Sequence, residues 1–382
     1  MVMSAELRVR SERCREETSH RDALGRVEGW LLHSGIQIEY GEQQGGIAGW
    51  LDENGQPDFV YLEIAGYYMT AMAWLASGGA MNADTAPLAR LRAQRAAGWV
   101  ARSMSSRRGV PTRLYLSGER TDWRNDGLFS FDLAMASRGV AATRHLSGRQ
   151  EHRKALSALC TTIERISESA DVMRSHELVR PPFEELPERW STRSGPHHLK
   201  AAAAVLFVPE RVVGRATVDM AQRTCEHWAR RLWAGEWSCQ ELHPRLYALE
   251  GMLMRTGGRD GDGLRVVERL FAELMDVQAS DGTLPETLDG GKVRSDVIAQ
   301  ALRIGLLLRG REYLAGSIWS ERLDRLADAL LPFVQPDGGV RFARDQNISN
   351  TWCAMFAHQA LALRARAETS EPVPAAAFEL LV

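Results

Sequence analysis

Apolar residues recur at helical spacing along nearly the whole chain, and the helices they mark fall into two alternating classes. About twelve periodic runs are separated by Gly, Pro and Asp punctuation, at 22–33, 60–77, 86–104, 126–144, 151–169, 196–208, 217–234, 243–256, 262–277, 294–308, 317–334 and 350–367. The odd-numbered runs are amphipathic. Run 86–104 carries Arg90, Arg92, Arg95 and Arg102, and run 317–334 carries Glu321, Arg322, Asp324, Arg325 and Asp328, so each has a charged face for water. The even-numbered runs are small and apolar nearly all round, as in 64–74, 199–207 and 352–363, and such helices need burial on most sides. Period-two alternation is short and rare, so strands are minor.

Six helices that need burial, alternating with six that need half, fit an all-α closed ring of six helical hairpins, an (α/α)6 toroid whose inner helices line a central pocket. A solenoid of helical pairs is the rival. The inner runs begin near Val60, Asp126, Pro196, His243, Arg294 and Asn350, a spacing too uneven for a simple array. A second repeat supports the ring. The segments 44–50, 278–283 and 335–341, each before an inner run, open with Gln44, Gln278 and Gln335 and continue into Gly-rich turns, which places these loops at one end of the ring.

One domain, residues 21–368, is expected to carry the ring, with 1–20 as a charged extension and 369–382 as a tail. Lys plus Arg (47) nearly balances Asp plus Glu (49), which gives no electrostatic drive toward a nucleic-acid backbone or an anionic membrane. The first twenty residues lack the apolar stretch of a signal peptide and no segment has the length of a membrane span, so a cytoplasmic protein is expected. Cys14, Cys160, Cys225, Cys239 and Cys353 are scattered and odd in number, and are read as free thiols.

With these residues in view, the chain resembles the α/α-toroid proteins, the broad group that contains terpene cyclases, protein prenyltransferase β-subunits, and sugar-acting epimerases, unsaturated-glycan hydrolases and polysaccharide lyases. The resemblance spans residues 40–365 and is carried by the Gln/Gly loops and by segments 61–67, 129–139, 243–251 and 294–303. It is closest to the sugar-acting members. The DxDD and DDxxD runs of terpene cyclases, the zinc pattern of prenyltransferases and the Cys-His-Gly of lanthipeptide cyclases are missing. So are GxxxxGK[ST], GxGxxG and GxSxG, which leaves nucleotide hydrolysis, a Rossmann cofactor and a hydrolase elbow without support.

Aligned by their starts, the inner runs bring charged residues to equivalent first-turn positions: Glu63, Asp132, Lys200, Arg245 and Asp296. First-turn carboxylates also cap helices, so position alone leaves that role open. Glu63 stands among Tyr61, Tyr67 and Tyr68, and sugar chemistry needs an acid/base pair flanked by aromatic faces, so Glu63 and Asp132 form the expected pair. His243 is the third catalytic candidate, and His197 and His198 also begin an inner run. Lys200, Arg245 and Arg294 are candidates to orient an anionic group, and Trp50, Trp123, Tyr247, Asn350 and Trp352 to line the pocket, although tryptophans at hairpin junctions also serve as packing wedges.

No cofactor or metal is expected: Cys239, His243, His197, His198 and Cys353 share one end of the ring but have no ligand spacing. The expected function is a carbohydrate-active enzyme (hydrolase, lyase or epimerase) acting on a sugar or uronic-acid-type small molecule or glycan. A natural-product cyclase and a non-catalytic binding ring are the alternatives. Pocket polarity separates them, since a cyclase site is aromatic and nearly uncharged, a sugar site has ionised rims, and a scaffold fills its pocket with side chains.

Overall fold

The computed structural model describes residues 5–81, 83–105, 112–117, 120–147, 150–168, 170–179, 185–237 and 239–382; the Cys14 side chain and Ser169 lie outside the described parts. Six inner helices, α2 (Leu62–Trp74), α4 (Ser130–Ser147), α6 (His198–Phe207), α8 (Leu242–Thr256), α10 (Ser295–Arg309) and α12 (Thr351–Glu368), alternate along the chain with six outer ones. The outer helices are α1 (Ala5–His33), α3 (Ala86–Ser105), α5 (Gln150–Ile166), α7 (Arg215–Trp233), α9 (Gly261–Met275) and α11 (Ser317–Leu330). Each inner helix packs on the next, and α12 packs back on α2. The ring is closed, which rules out the open solenoid.

Burial follows the two helix classes. Every residue of α2 is buried. In α9 only one stripe is, with Leu264, Val267, Leu270, Phe271 and Leu274 at helical spacing. Each such apolar side chain contributes roughly 1.5–3 kcal/mol on leaving water. The sequence repeat before the inner helices has a steric basis. Gly45, Gly282 and Gly338 all have positive φ. A Cβ on them would strike the backbone oxygens of Arg95, Arg325 and Arg26 in α3, α11 and α1. Glycine there lets each loop lie directly on an outer helix. Gln278 adds a bond from Nε2 to Arg322 O (3.0 Å).

Strands are two or three residues long. β1 (Trp50–Leu51) pairs with β6 (Ser349–Asn350), β2 (Phe59–Tyr61) with β3 (Arg113–Tyr115), and β4 (Gly127–Phe129) with β5 (His176–Leu178), all antiparallel. Single bridges join Glu241 to Thr287 and Arg294 to Ala343. These pairs link the loops that lead into the inner helices, forming a collar around one mouth of the ring.

Residues from Ala5 onward, read as a charged extension, continue α1 as helix, because the Arg- and Glu-rich stretch has good helix formers although no apolar period marks it. At the other end, a short helix α13 (Ala376–Glu379) leads to Leu381 and Val382, both fully buried. Arg138 of α4 donates to the Leu381 and Glu379 oxygens, Gln359 of α12 to Leu380, and Lys200 of α6 and Arg303 of α10 to Val382. The tail therefore occupies the end of the ring opposite the collar. Among the described residues no helix is long and apolar enough to cross a membrane.

Candidate active site

Inside the collar, at the N-terminal ends of the inner helices, lies a cavity of about 490 Å³. Helix N-termini present unpaired N–H groups and the positive ends of their dipoles, so this mouth favours polar and anionic ligands.

Glu63 and Asp132 both line it, from the first turns of α2 and α4. They come together because α2 and α4 cross at glycine. A Cβ on Gly66 would stand 2.4 Å from the Met135 backbone, and one on Gly139 would stand 2.4 Å from Gly66 O. Tyr61 lines the same cavity and favours the ionised form of both carboxyls. Burial, opposed by Tyr61 and the cations Lys200, Arg124 and Arg113, pushes Glu63 up to about 6. Burial and the neighbouring Glu63 charge push Asp132 well above the carboxylate range. Asp132 Oδ2 is buried without a partner among the described residues. The protons of the pair therefore come off in two steps, and Asp132 is the member that holds its proton longer.

Two guanidiniums flank the pair and share one carboxylate. Arg113 bonds Asp122 at 2.8 Å and lies 4.0 Å over the Phe59 ring, while Arg124 is 3.7 Å from the same Asp122 oxygen. Net positive charge is left beside Glu63.

On the other wall, His243 Nδ1 is 2.6 Å from Gln300 Oε1. An amide oxygen only accepts, so Nδ1 carries the hydrogen and Nε2 is left as an acceptor. Burial pulls His243 down to about 4, so the ring is neutral at physiological pH. Asp296, 3.6 Å from Nδ1, is pushed up by burial but pulled further down by Arg294, and stays ionised. Arg294 also reaches Glu286 (2.9 Å), and Trp352 Nε1 donates to Asp296 Oδ2 (3.3 Å). Trp190 closes this wall, with ring centroids 5.6 Å from His243 and 5.7 Å from Tyr247.

Of the residues singled out in the sequence, Trp50, Tyr61, Glu63, Asp132, His243, Tyr247, Arg294, Asn350 and Trp352 line this cavity. Seven do not. Asp296, Tyr67 and Lys200 lie beneath it: Asp296 is fully enclosed, Tyr67 stands edge-on to Phe356 (5.5 Å), and Lys200 pairs with Glu250 (2.7 Å). His197 packs behind Trp190 (5.1 Å), and His198 Nδ1 accepts from Gly195 N (3.3 Å) within its own helix start. Trp123 is a wedge against Phe129 (5.6 Å). Arg245 points away, because 243, 247 and 250 form one face of α8 and 245 lies about 200° round the helix from 243. Its Nε donates to Cys239 O (2.9 Å) and its guanidinium lies over Trp237.

The sequence reading missed Arg113, Arg124, Arg189, Trp190, Glu286, Phe342 and Gln346, all in collar loops. The chain also carries a buried polar set under the cavity, Glu250, Gln300 and Arg303. Among the described residues, no three His, Cys, Asp or Glu side chains are grouped to hold a metal.

No protein-family model matches the chain, and no curated protein does. Solved structures do match. A sugar epimerase from a ruminal bacterium superposes at TM-score 0.65 with 12% identity, covering 92% of this chain and 100% of its own. An unsaturated glucuronyl hydrolase specific for heparin gives TM-score 0.62 at 10% identity, covering 93% and 98%. A polysaccharide lyase gives 0.60 at 10% identity, covering 94% and 99%. Coverage from end to end at such low identity, together with the closed circuit of inner helices, makes the chain an (α/α)6 toroid.

Proposed function

We propose that the cavity is the active site of a carbohydrate-active enzyme in which Asp132 is the acid and Glu63 the base, acting on a sugar or glycan that carries an acidic group. The observation that carries this reading is the coupled carboxyl pair, with one buried oxygen unpartnered, at the foot of an aromatic-walled cavity. In a hydrolysis, Asp132 gives its proton to the glycosidic oxygen as the C–O bond breaks. Glu63 takes a proton from the water that attacks carbon. Arg189 lines the mouth beside Trp190, is exposed, and has no ion pair among the described residues, so it is the guanidinium free to meet an acidic substituent. The solved structures named above are those of a sugar epimerase, a glucuronyl hydrolase and a polysaccharide lyase, which supports a sugar ligand for this fold. The cyclase alternative gains nothing, since Glu63, Asp132, Glu286 and four arginines line the cavity.

The test begins with thermal-shift screening of uronic-acid-containing against neutral oligosaccharides, because a ligand bound only by the native state must raise its stability. Turnover of the stabilising glycan is then expected to fall roughly 10²–10⁴-fold in Asp132→Asn and in Glu63→Gln. Near-normal turnover in either variant would overturn the assignment.

A second reading rests on His243, whose Nδ1 is fixed by Gln300 and whose Nε2 is a free acceptor: proton abstraction from a sugar carbon followed by return on the other face, an epimerisation. Reaction in D2O separates the two, since epimerisation places deuterium on carbon without cleaving the glycan.

A further inference from the structure

Directly under the acid pair lies a buried charge cluster that the proposed chemistry does not use. Lys200 Nζ is completely enclosed, 2.7 Å from Glu250 Oε2 and 3.0 Å from the Val382 backbone oxygen. Arg303 pairs with the other Glu250 oxygen and also reaches Val382 (2.7 Å). The same ammonium stands 4.8 Å from the Tyr67 ring centroid, 4.5 Å from Tyr247 and 5.4 Å from Phe356. Tyr247 lines the cavity together with Glu63, and Tyr67 follows Glu63 by one turn of α2.

Burying an ammonium is costly, and an apolar side chain of similar length would fill the same channel without that cost. Glu250 alone does not account for Lys200, because Arg303 already pairs with it. What Lys200 adds is a positive charge below the cavity floor.

We propose that Lys200 is a positioning residue for the acid pair, supplying from beneath the cavity, beside Tyr67 and Tyr247, the positive charge that keeps Glu63 ionised, with residues 376–382 holding it in place. The inference rests on the reading of Glu63 as the base of the site. The groups facing Glu63 are Tyr61, Arg113, Arg124, Asp132, Tyr67, Tyr247 and Lys200, and of the three cations Lys200 is the one that is completely enclosed. The groups facing Lys200 are Glu250, Arg303, Arg138, Tyr67 and Tyr247. Burial pulls Lys200 itself down to about 7, against about 6 for Glu63, so the ammonium keeps its charge through the first half of the Glu63 titration.

The test reads Glu63 directly, by ¹³C-carboxyl NMR titration of the full chain, with the Glu63 signal identified as the one lost in Glu63→Gln. The wild-type midpoint is expected at about 6. Lys200→Met is expected to raise it by about one pH unit, and Lys200→Arg to return it toward the wild-type position. A merely structural lysine would cost stability and leave the midpoint where it was, and that result in folded Lys200→Met would overturn the proposal. Should that variant not fold, Lys200→Gln removes the charge while keeping a polar side chain against Glu250. A rise there supports the proposal and an unchanged midpoint sinks it. The measurement needs no substrate, so its failure is distinct from a failure of the acid–base assignment, which turnover alone decides.

Discussion

Arg294 closes both arms of its guanidinium on Asp296, two positions further along the chain, with Nε 3.1 Å from Oδ1 and Nη2 2.7 Å from Oδ2. Asp296 is thereby fixed between a cation of the cavity wall and the neutral His243 ring. Asp296→Asn keeps the shape and leaves Arg294 with only the half-exposed Glu286. The expected loss is about 3 kcal/mol of folding stability, read by urea denaturation, because a buried charge is left underpaired. A loss below ~1 kcal/mol would mean that Glu286 suffices.

Gly66→Ala tests the crossing that brings Glu63 and Asp132 together. The added methyl meets the Met135 and Ala136 backbone, which cannot yield as a flexible side chain would. A loss of about 3 kcal/mol is expected. If the variant folds, the Asp132 titration is expected to move down toward the ordinary carboxylate range as the Glu63 charge is carried away from it. A neutral substitution would show that α2 and α4 are not held at this distance.

Glu63 has a folded-state pKa of about 6 against 4.5 unperturbed. A raised pKa means that its contribution is full below pH 4.5 and is lost as pH rises through 6. Wild type is therefore expected to lose about 2 kcal/mol relative to Glu63→Gln between pH 4.5 and 7. Parallel stability curves for the two proteins would contradict the burial of an ionising group here.

His243 behaves oppositely, with a folded-state pKa of about 4 against 6.5. A depressed pKa means that its contribution is present above pH 6.5 and is lost as pH falls toward 4. His243→Gln is expected to remove about 3 kcal/mol of the acid sensitivity between pH 7 and 4, measured as the shift in urea midpoint. Equal acid sensitivity in both proteins would show that His243 protonates freely in the folded chain.

The helix plan was legible because it rests on period: a run such as 64–74 has no polar face to offer water, and only an inner position accommodates that. First-turn residues such as Glu63 and Asp132 could be picked for the same reason, since the start of a run fixes its end of the ring. Arg245 failed because phase was ignored: it shares the first turn of α8 with His243 but faces the opposite way. Glu250 and Arg303 escape notice because a charge inside an apolar run reads as a side chain reaching for solvent, whereas here each finds its partner on the neighbouring inner helix. Arg113, Arg124, Arg189 and Trp190 had no period to betray them. They sit in loops and pairs of two or three residues, whose partners, such as Tyr61 for Arg113, are set by tertiary packing and not by local pattern.

The seam of the ring has a consequence for synthesis. Trp50 pairs with Asn350, Thr351 Oγ1 donates to Ala48 O (2.7 Å), and His358 meets the buried Glu28 at 3.2 Å. The two sides of that seam are 300 positions apart in the chain, from Trp50 to Asn350. At a ribosomal rate of about 5–20 residues per second, α2 waits roughly 15–60 s for the α12 surface that covers it. During that interval the nascent chain displays the apolar flank of its first hairpin. A cell making this protein must shield that flank, and mutations at the seam are expected to lower yield before they alter the finished molecule.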